Sequence, residues 1–342
     1  MYEDFYGLTG KPFQLSPDSR FFFNSKGHNR AMAYLRYGLE QGEGFIVITG
    51  GIGTGKTMLV RNLFDELDST RVVAAELVTT QVQPNDMLRI VCASFGLTHK
   101  SASKATLLNN LEEFLRSRYR EGKRVLLVVD EAQNLPERSI EELRMLANFQ
   151  IDGTALLQCF LLGQDELKHT LQSPGMEQFR QRVIASYHLR ALNLEEMQHY
   201  IMHRLRLVGW REDPKIADGV FGSIYEFTGG VPRRVNTLCD RMLLFGCLEE
   251  MHEIDQDALE KVSDEMKEEG WSETASQAER PIRLRGKKRR FARTEDSDLM
   301  QRLAILEAEI DALKAGLQAE RRMVEAIQLR IDMSEDDDDE YE

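Results

Sequence analysis

The chain has 342 residues, 42% of them hydrophobic and 30% charged, which is material for one large buried core or two ordinary ones. No apolar run approaches the roughly 18 residues that crossing a bilayer requires, so no spanning helix is expected. The formal net charge of −13 is concentrated at one end: Glu335, Asp336, Asp337, Asp338, Asp339, Glu340 and Glu342 supply about half of it, so the remainder says little about partners.

The first residues, MYEDFYGLTGK, are acidic and aromatic and lack the basic and apolar regions of a signal peptide, so a cytoplasmic location is expected. Up to residue 40 the chain carries Phe5, Tyr6, Phe13, Phe21, Phe22 and Phe23 with two prolines. This predicts an extended segment and then a helix over 29–39, with residues 1–40 packing on a core. Strands are expected at 45–49, 72–78, 125–129, 155–162 and 184–189. Helices are expected between them, at 57–67, 86–95, 104–120, 140–149 and 165–170. Continuous apolar strands alternating with helices imply an α/β fold over 41–192, with a parallel sheet covered on both faces.

After residue 192 the strand signals stop. Helices at 194–208, 215–228, 232–250 and 255–267 make a small helical domain over 193–267, opened by Asn193 ahead of Glu195 and Glu196. Residues 268–297 are polar and hold Arg280, Arg283, Arg285, Lys287, Lys288, Arg289, Arg290 and Arg293, which reads as a basic linker. Over 298–333, Leu303, Ile310, Leu317, Val324 and Ile331 form one seam and Leu299, Leu306, Leu313 and Ile327 a second, interrupted by Glu320. Such a heptad pattern predicts a coiled coil between chains; one amphipathic helix folded back on the globular part is the alternative. Residues 334–342 form an acidic tail expected to be disordered. Cys92, Cys159, Cys239 and Cys247 form no paired spacing and sit in apolar contexts, so buried free thiols are expected.

Two segments carry chemistry. The first is GGIGTGKT, read as Gly50, Gly51, Ile52, Gly53, Thr54, Gly55, Lys56 and Thr57, followed by Met58. It lies between a predicted strand and a predicted helix, the order a phosphate-binding P-loop needs. The glycines let backbone N–H groups converge on phosphate oxygens, and the helix adds the positive end of its dipole. Lys56 suits the β- and γ-phosphates, and the Thr57 hydroxyl suits Mg²⁺. The second segment is an apolar strand ending in Asp130 and Glu131. Asp130 fits the carboxylate that holds Mg²⁺, and Glu131 a general base that polarises water. No Asn-Lys-x-Asp guanine-reading motif occurs, so ATP is the expected nucleotide.

The opening YEDFYGLTGKPFQLSPDSRFFF, then GFIVITGGIGTGKT, LLVVDEAQNL, LLQCFLLGQDEL, FRQRV and TGGVPRRVN follow one another as in AAA+ P-loop ATPases of the general secretion pathway protein A (ExeA-like) family. The resemblance covers about residues 1–266 and is nearest to the ATPases found with exosortase/PEP-CTERM exopolysaccharide loci. It implies an AAA+ α/β domain with a helical lid, ATP hydrolysis at a subunit interface, and a homo-oligomer, ring or filament. It also implies roles for single residues. Gln164 takes the sensor-1 place, with a solvated loop amide as the plainer reading. Arg182 takes the arginine-finger place, supplied to a neighbouring subunit; Arg180 competes for it, and either also reads as a surface ion-pair partner. Arg233 takes the sensor-2 place in the lid.

Better-known members of the family continue into a membrane span and a peptidoglycan-binding domain. This sequence continues into the basic linker, heptads and acidic tail instead, so direct cell-wall binding is not expected. The partner expected is a secretion or polysaccharide-export protein reached through the coiled coil; for the basic linker a solvated segment that attracts the acidic tail, peripheral contact with anionic lipid at the inner membrane, and nucleic acid all stay open. A DNA-binding transposition-helper ATPase and a nucleotide-controlled assembly scaffold are the alternative readings.

Overall fold

A computed structural model describes residues 1–78 and 86–271. The chain opens with a short helix, Tyr2–Phe5 (α1), and an extended segment closed by a 3-10 turn at Ser19–Phe21, which Asp18 caps by accepting from the Arg20 backbone N–H at 3.0 Å. Helix α2 (Lys26–Gln41) follows, capped by Ser25. The α/β part then runs β1 (Phe45–Gly50), α3 (Lys56–Glu66), β2 (Val72–Val78), α4 (Met87–Ser94), α5 (Lys104–Arg120), β3 (Arg124–Asp130) and α6 (Glu137–Leu146). It continues with a hairpin of β4 (Gln150–Ile151) and β5 (Thr154–Ala155), then β6 (Leu157–Gly163), α7 (Asp165–Gln172), α8 (Glu177–Arg180) and β7 (Val183–Leu189).

β1, β2, β3, β6 and β7 form one parallel sheet in the order β2-β3-β6-β1-β7. Their side chains alternate between two cores. Phe45, Val47, Leu127 and Leu161 pack with α4 to α8, while Ile46, Ile48, Val128 and Phe160 pack with α2 and α3. Burial on both faces is why these strands read as unbroken apolar runs.

The helical part comprises α9 (Leu194–Leu207), β8 (Lys215–Ile216), α10 (Val220–Thr228), α11 (Pro232–Leu248), β9 (Glu253–Ile254) and α12 (Gln256–Glu268). A capping box starts α9, with Asn193 and Glu196 each accepting from the other's backbone N–H.

Several elements differ from the sequence expectation. The helix expected at 140–149 is α6, which starts earlier because Pro136 stands at its N-cap, and the chain then turns into the β4–β5 hairpin. The helix expected from 215 begins at Val220, because Lys215 and Ile216 pair in parallel with Glu253 and Ile254. Helix α2 lies on the sheet, whereas Tyr2, Tyr6, Phe13 and Phe21 enter the apolar core of the helical part. Cys92, Cys159 and Cys239 are buried free thiols, and Cys247 is half-buried. Among the described residues no helix is long and apolar enough to cross a membrane. The basic linker, the coiled coil and the acidic tail lie outside the described residues.

Candidate active site

β1 ends at Gly50, and the chain turns through Gly51, Ile52, Gly53 and Thr54 to Gly55, the N-cap of α3. Lys56 opens that helix and is buried, its Nζ donating to the carbonyls of Gly50 at 2.7 Å and Gly51 at 3.0 Å. Burial lowers the pKa of this ammonium; Glu131, Asp130, Asp165 and Glu166 oppose that by favouring its charge. The Thr57 hydroxyl donates to Asp130 Oδ2 at 2.8 Å. Asp130, the last residue of β3, is buried, and its Oδ1 accepts from the Glu131 backbone N–H at 2.9 Å. A hydroxyl and a carboxylate so placed are hard oxygen ligands of the kind Mg²⁺ takes alongside phosphate and water, so the residues fit that ion.

Glu131 leaves β3 in the left-handed region, φ 53°, which a residue other than glycine seldom adopts. Its Oε2 accepts from Gln133 Nε2 at 2.5 Å and from Gln164 Nε2 at 3.1 Å. Gln133 Oε1 in turn accepts from the Gln164 backbone N–H at 2.9 Å. Burial pushes the Glu131 carboxyl up, but the two amide bonds and the Lys56 charge outweigh it and hold the pKa below its usual value. Glu131 therefore stays an anion near neutral pH, the form a base must have. Gln164, at the end of β6, meets Glu131 directly. Gln133 was assigned no role from sequence; its position two residues beyond the paired acids was the available signal.

Arg233 lies in the first turn of α11, where its backbone N–H donates to the Gly53 carbonyl at 3.2 Å. The lid thus rests on the loop. A cavity of about 390 Å³ opens there, lined by Ile52, Gly53, Gly55, Lys56, Thr57 and Met58 of the loop, by Glu131 and Gln164, and by Arg233. Its remaining walls include Phe22, Phe23 and His28 from the N-terminal segment and Tyr200, Arg204 and Asn236 from the lid. Arg204 is buried; it donates to the Pro12 carbonyl and to the Tyr200 hydroxyl at 2.6 Å and stacks over Phe21 at 4.6 Å. The aromatic segment is thereby bound to the lid and forms a wall of the cavity, which its composition alone did not reveal.

His28 also escaped the sequence reading. Its Nε2 lies 3.1 Å from the Thr54 carbonyl and its Nδ1 2.7 Å from Ser25 Oγ. A carbonyl only accepts, so the ring donates Nε2–H to Thr54, and in the neutral ring Nδ1 accepts from the Ser25 hydroxyl. Burial pushes the pKa of this imidazole down to about 4. A Cβ on Gly55 would lie 2.6 Å from the same Nε2, and Gly55 has φ 103°, so only glycine fits against the ring.

Arg182 lies elsewhere. Its carbonyl accepts from the Phe45 backbone N–H, at the opposite end of β1 from Gly50, about 16 Å along the strand from the loop. The exposed side chain donates to Asn148 Oδ1 at 2.9 Å. Arg180 donates to the carbonyls of Leu171 at 2.8 Å and Ser173 at 2.9 Å, binding the end of α7.

Strand order, loop and paired acids together define an AAA-type P-loop fold. The AAA domain family model matches residues 39–171, from the end of α2 into α7. The chain is related to general secretion pathway protein A of Aeromonas hydrophila, with 35% identity over 255 residues; the alignment takes in 74% of this chain and 46% of that protein, so the chain spans about half the length of this relative. Among solved structures it resembles Cdc6p of Pyrobaculum aerophilum, with a TM-score of 0.58 at 16% identity over 74% of this chain and 70% of that one. It also resembles the ADP form of Aeropyrum pernix ORC2, with a TM-score of 0.53 at 17% identity over 72% of each. Identities this low show a shared fold alone.

Proposed function

We propose that this chain is an AAA ATPase that binds ATP with Mg²⁺, hydrolyses it, and uses the cycle to drive or switch a secretion apparatus. The observation that carries the enzymatic reading is the continuous line Thr57–Asp130–Glu131–Gln164 beside Lys56. Backbone N–H groups of residues 50–58 cradle the phosphates, and Lys56 neutralises their charge. Mg²⁺, held by Thr57 and Asp130, would supply further charge neutralisation. Glu131 accepts a proton from the attacking water while Gln164 orients that water. Arg233 senses the phosphates from the lid, and Arg182 acts on the site of a neighbouring subunit in a homo-oligomer.

The relation to general secretion pathway protein A supports the secretion reading. The motif resemblance narrows it to an exosortase-type exopolysaccharide apparatus on the cytoplasmic side of the inner membrane. In this reading the heptads over 298–333 meet the partner, and the basic linker touches anionic lipid.

Phosphate release from ATP with Mg²⁺ tests the activity. Glu131→Gln is expected to keep ATP affinity within about threefold and to lower turnover by about 10²-fold or more. Unchanged turnover removes Glu131 from the base role, and ATP binding without turnover in the unaltered protein favours a scaffold. Stimulation by duplex DNA that collapses with added salt favours the transposition-helper reading. Affinity capture with Glu131→Gln held in ATP identifies the partner.

A further inference from the structure

The Thr54–Gly55 peptide of the loop can turn because it ends on a glycine. Turning it changes ψ of Thr54 and φ of Gly55, and a glycine accepts either sign of φ at little cost. A trans peptide holds its C=O and N–H on opposite sides of one plane, so whatever fixes the Thr54 carbonyl also fixes the Gly55 N–H. In this chain the group that fixes it is His28, which comes from α2 rather than from the loop. The ring is set by its neighbours. Ser25 Oγ meets Nδ1 and also accepts from the His28 backbone N–H at 3.2 Å, and Phe22 packs edge-on with its centroid 5.8 Å away. The ring is buried and fills the space a Cβ on Gly55 would take.

We propose that His28 is a positioning residue for phosphate binding: its Nε2–H pins the Thr54 carbonyl on the α2 side, so that the Gly55 N–H points to the opposite side, toward the phosphates. The proposal deepens the nucleotide-binding reading and rests on it. The ring itself does not touch phosphate. Its contribution is to hold one donor of the cradle in place before the anion arrives, so that reorienting the peptide costs nothing on binding.

The same turn also touches the lid. The Lys26 backbone N–H donates to Glu196 Oε1 at 3.0 Å, and Glu196 closes the capping box of α9. The residues that fix His28 therefore lie between the lid and the loop.

The test compares three variants of the full chain by calorimetric titration with ADP and with pyrophosphate, alongside thermal melting without ligand. His28→Gln retains an N–H donor; His28→Phe retains a flat ring without one; His28→Ala retains neither. The expected result is that His28→Phe and His28→Ala weaken both ligands by about tenfold, while His28→Gln stays within about threefold of the unaltered protein. Pyrophosphate has no base, so its loss places the effect at the phosphates rather than at the aromatic wall. If His28→Ala fails to fold, the Gln and Phe pair decides. Equal affinities in all variants overturn the proposal. So does a Phe variant as tight as the unaltered protein, since the ring's volume would then be what matters, or a Gln variant as weak as the Phe variant, since the retained donor would then contribute nothing. An unaltered protein that binds neither ligand defeats the nucleotide-binding reading itself, a result distinct from any of these.

Discussion

His28 also carries a signature in stability. Burial holds its folded pKa near 4, with the nearby Glu196 charge opposing, while in the unfolded chain an imidazole titrates near 6.5. Between those values the unfolded state binds more protons, so stability rises with pH. The contribution is fully present above about pH 6.5 and is lost as the pH falls toward 4; the shift corresponds to about 3 kcal/mol. His28→Gln has no such group. The stability of the unaltered protein relative to this variant is therefore expected to grow between pH 4 and 6.5 and to level off above, as read by denaturant unfolding at several pH values. Parallel curves would mean that the imidazole is not held neutral in the fold.

At the scale of elements, what the sequence revealed follows from how each element is buried. β1, β3 and β6 are covered on both faces, so they appear as apolar runs, and the paired acids at the end of β3 mark the edge where chemistry sits. The loop from Gly50 to Lys56 is a local motif and could be read without any partner. Gln133 and His28 could not, because their roles depend on Glu131 and Thr54, which only folding brings against them. The short pairings at 150–155 and between β8 and β9 have too few residues to show a period. The stretch TGGVPRR suggested a sensor arginine, yet its second glycine has a structural task that is visible only in three dimensions. Gly230 has φ 68°, and a Cβ there would lie 2.0 Å from the Leu192 carbonyl oxygen, where the backbones before α9 and before α11 meet. Leu192 N–H donates to the Gly230 carbonyl at 3.0 Å across the same seam. Gly230→Ala must part these backbones, and a loss of at least about 2 kcal/mol is expected, on the order of 5 °C in melting temperature. Gly222→Ala is the comparison: it lies in α10 with nothing within 4 Å of the added Cβ, and removing a helical glycine is expected to stabilise by up to about 1 kcal/mol. Calorimetric melting of the two variants reads both signs, and equal shifts would refute the seam.

At the scale of the whole molecule, the position of Arg182 bears on assembly. It stands just before the start of β7, at the far end of the sheet from Lys56, and its side chain donates to Asn148 on the surface. An arginine there has no route to the loop of its own chain, so a catalytic role for it requires a second copy. Arg180 is the poorer candidate, because its guanidinium already binds two carbonyls at the end of α7. Two consequences follow. Specific activity should rise with protein concentration until assembly is complete. Arg182→Ala should bind ATP normally and turn it over about 10³-fold more slowly, the scale on which such an arginine acts in phosphoryl transfer. Mixing isolates the geometry. Lys56→Ala has a disabled loop but an intact Arg182, and Arg182→Ala has the converse, so each alone should be nearly inactive. In mixed assemblies the Arg182 of one chain serves the loop of the other, and activity should return to roughly a quarter of the unaltered level at equal amounts, the share of statistically mixed contacts that pair an intact loop with an intact arginine. If each arginine served its own loop, neither chain would hold a complete site and no mixture would recover. If Arg182 were only a surface ion-pair partner, Arg182→Ala would be active by itself. Phosphate release across the mixing series separates the three cases.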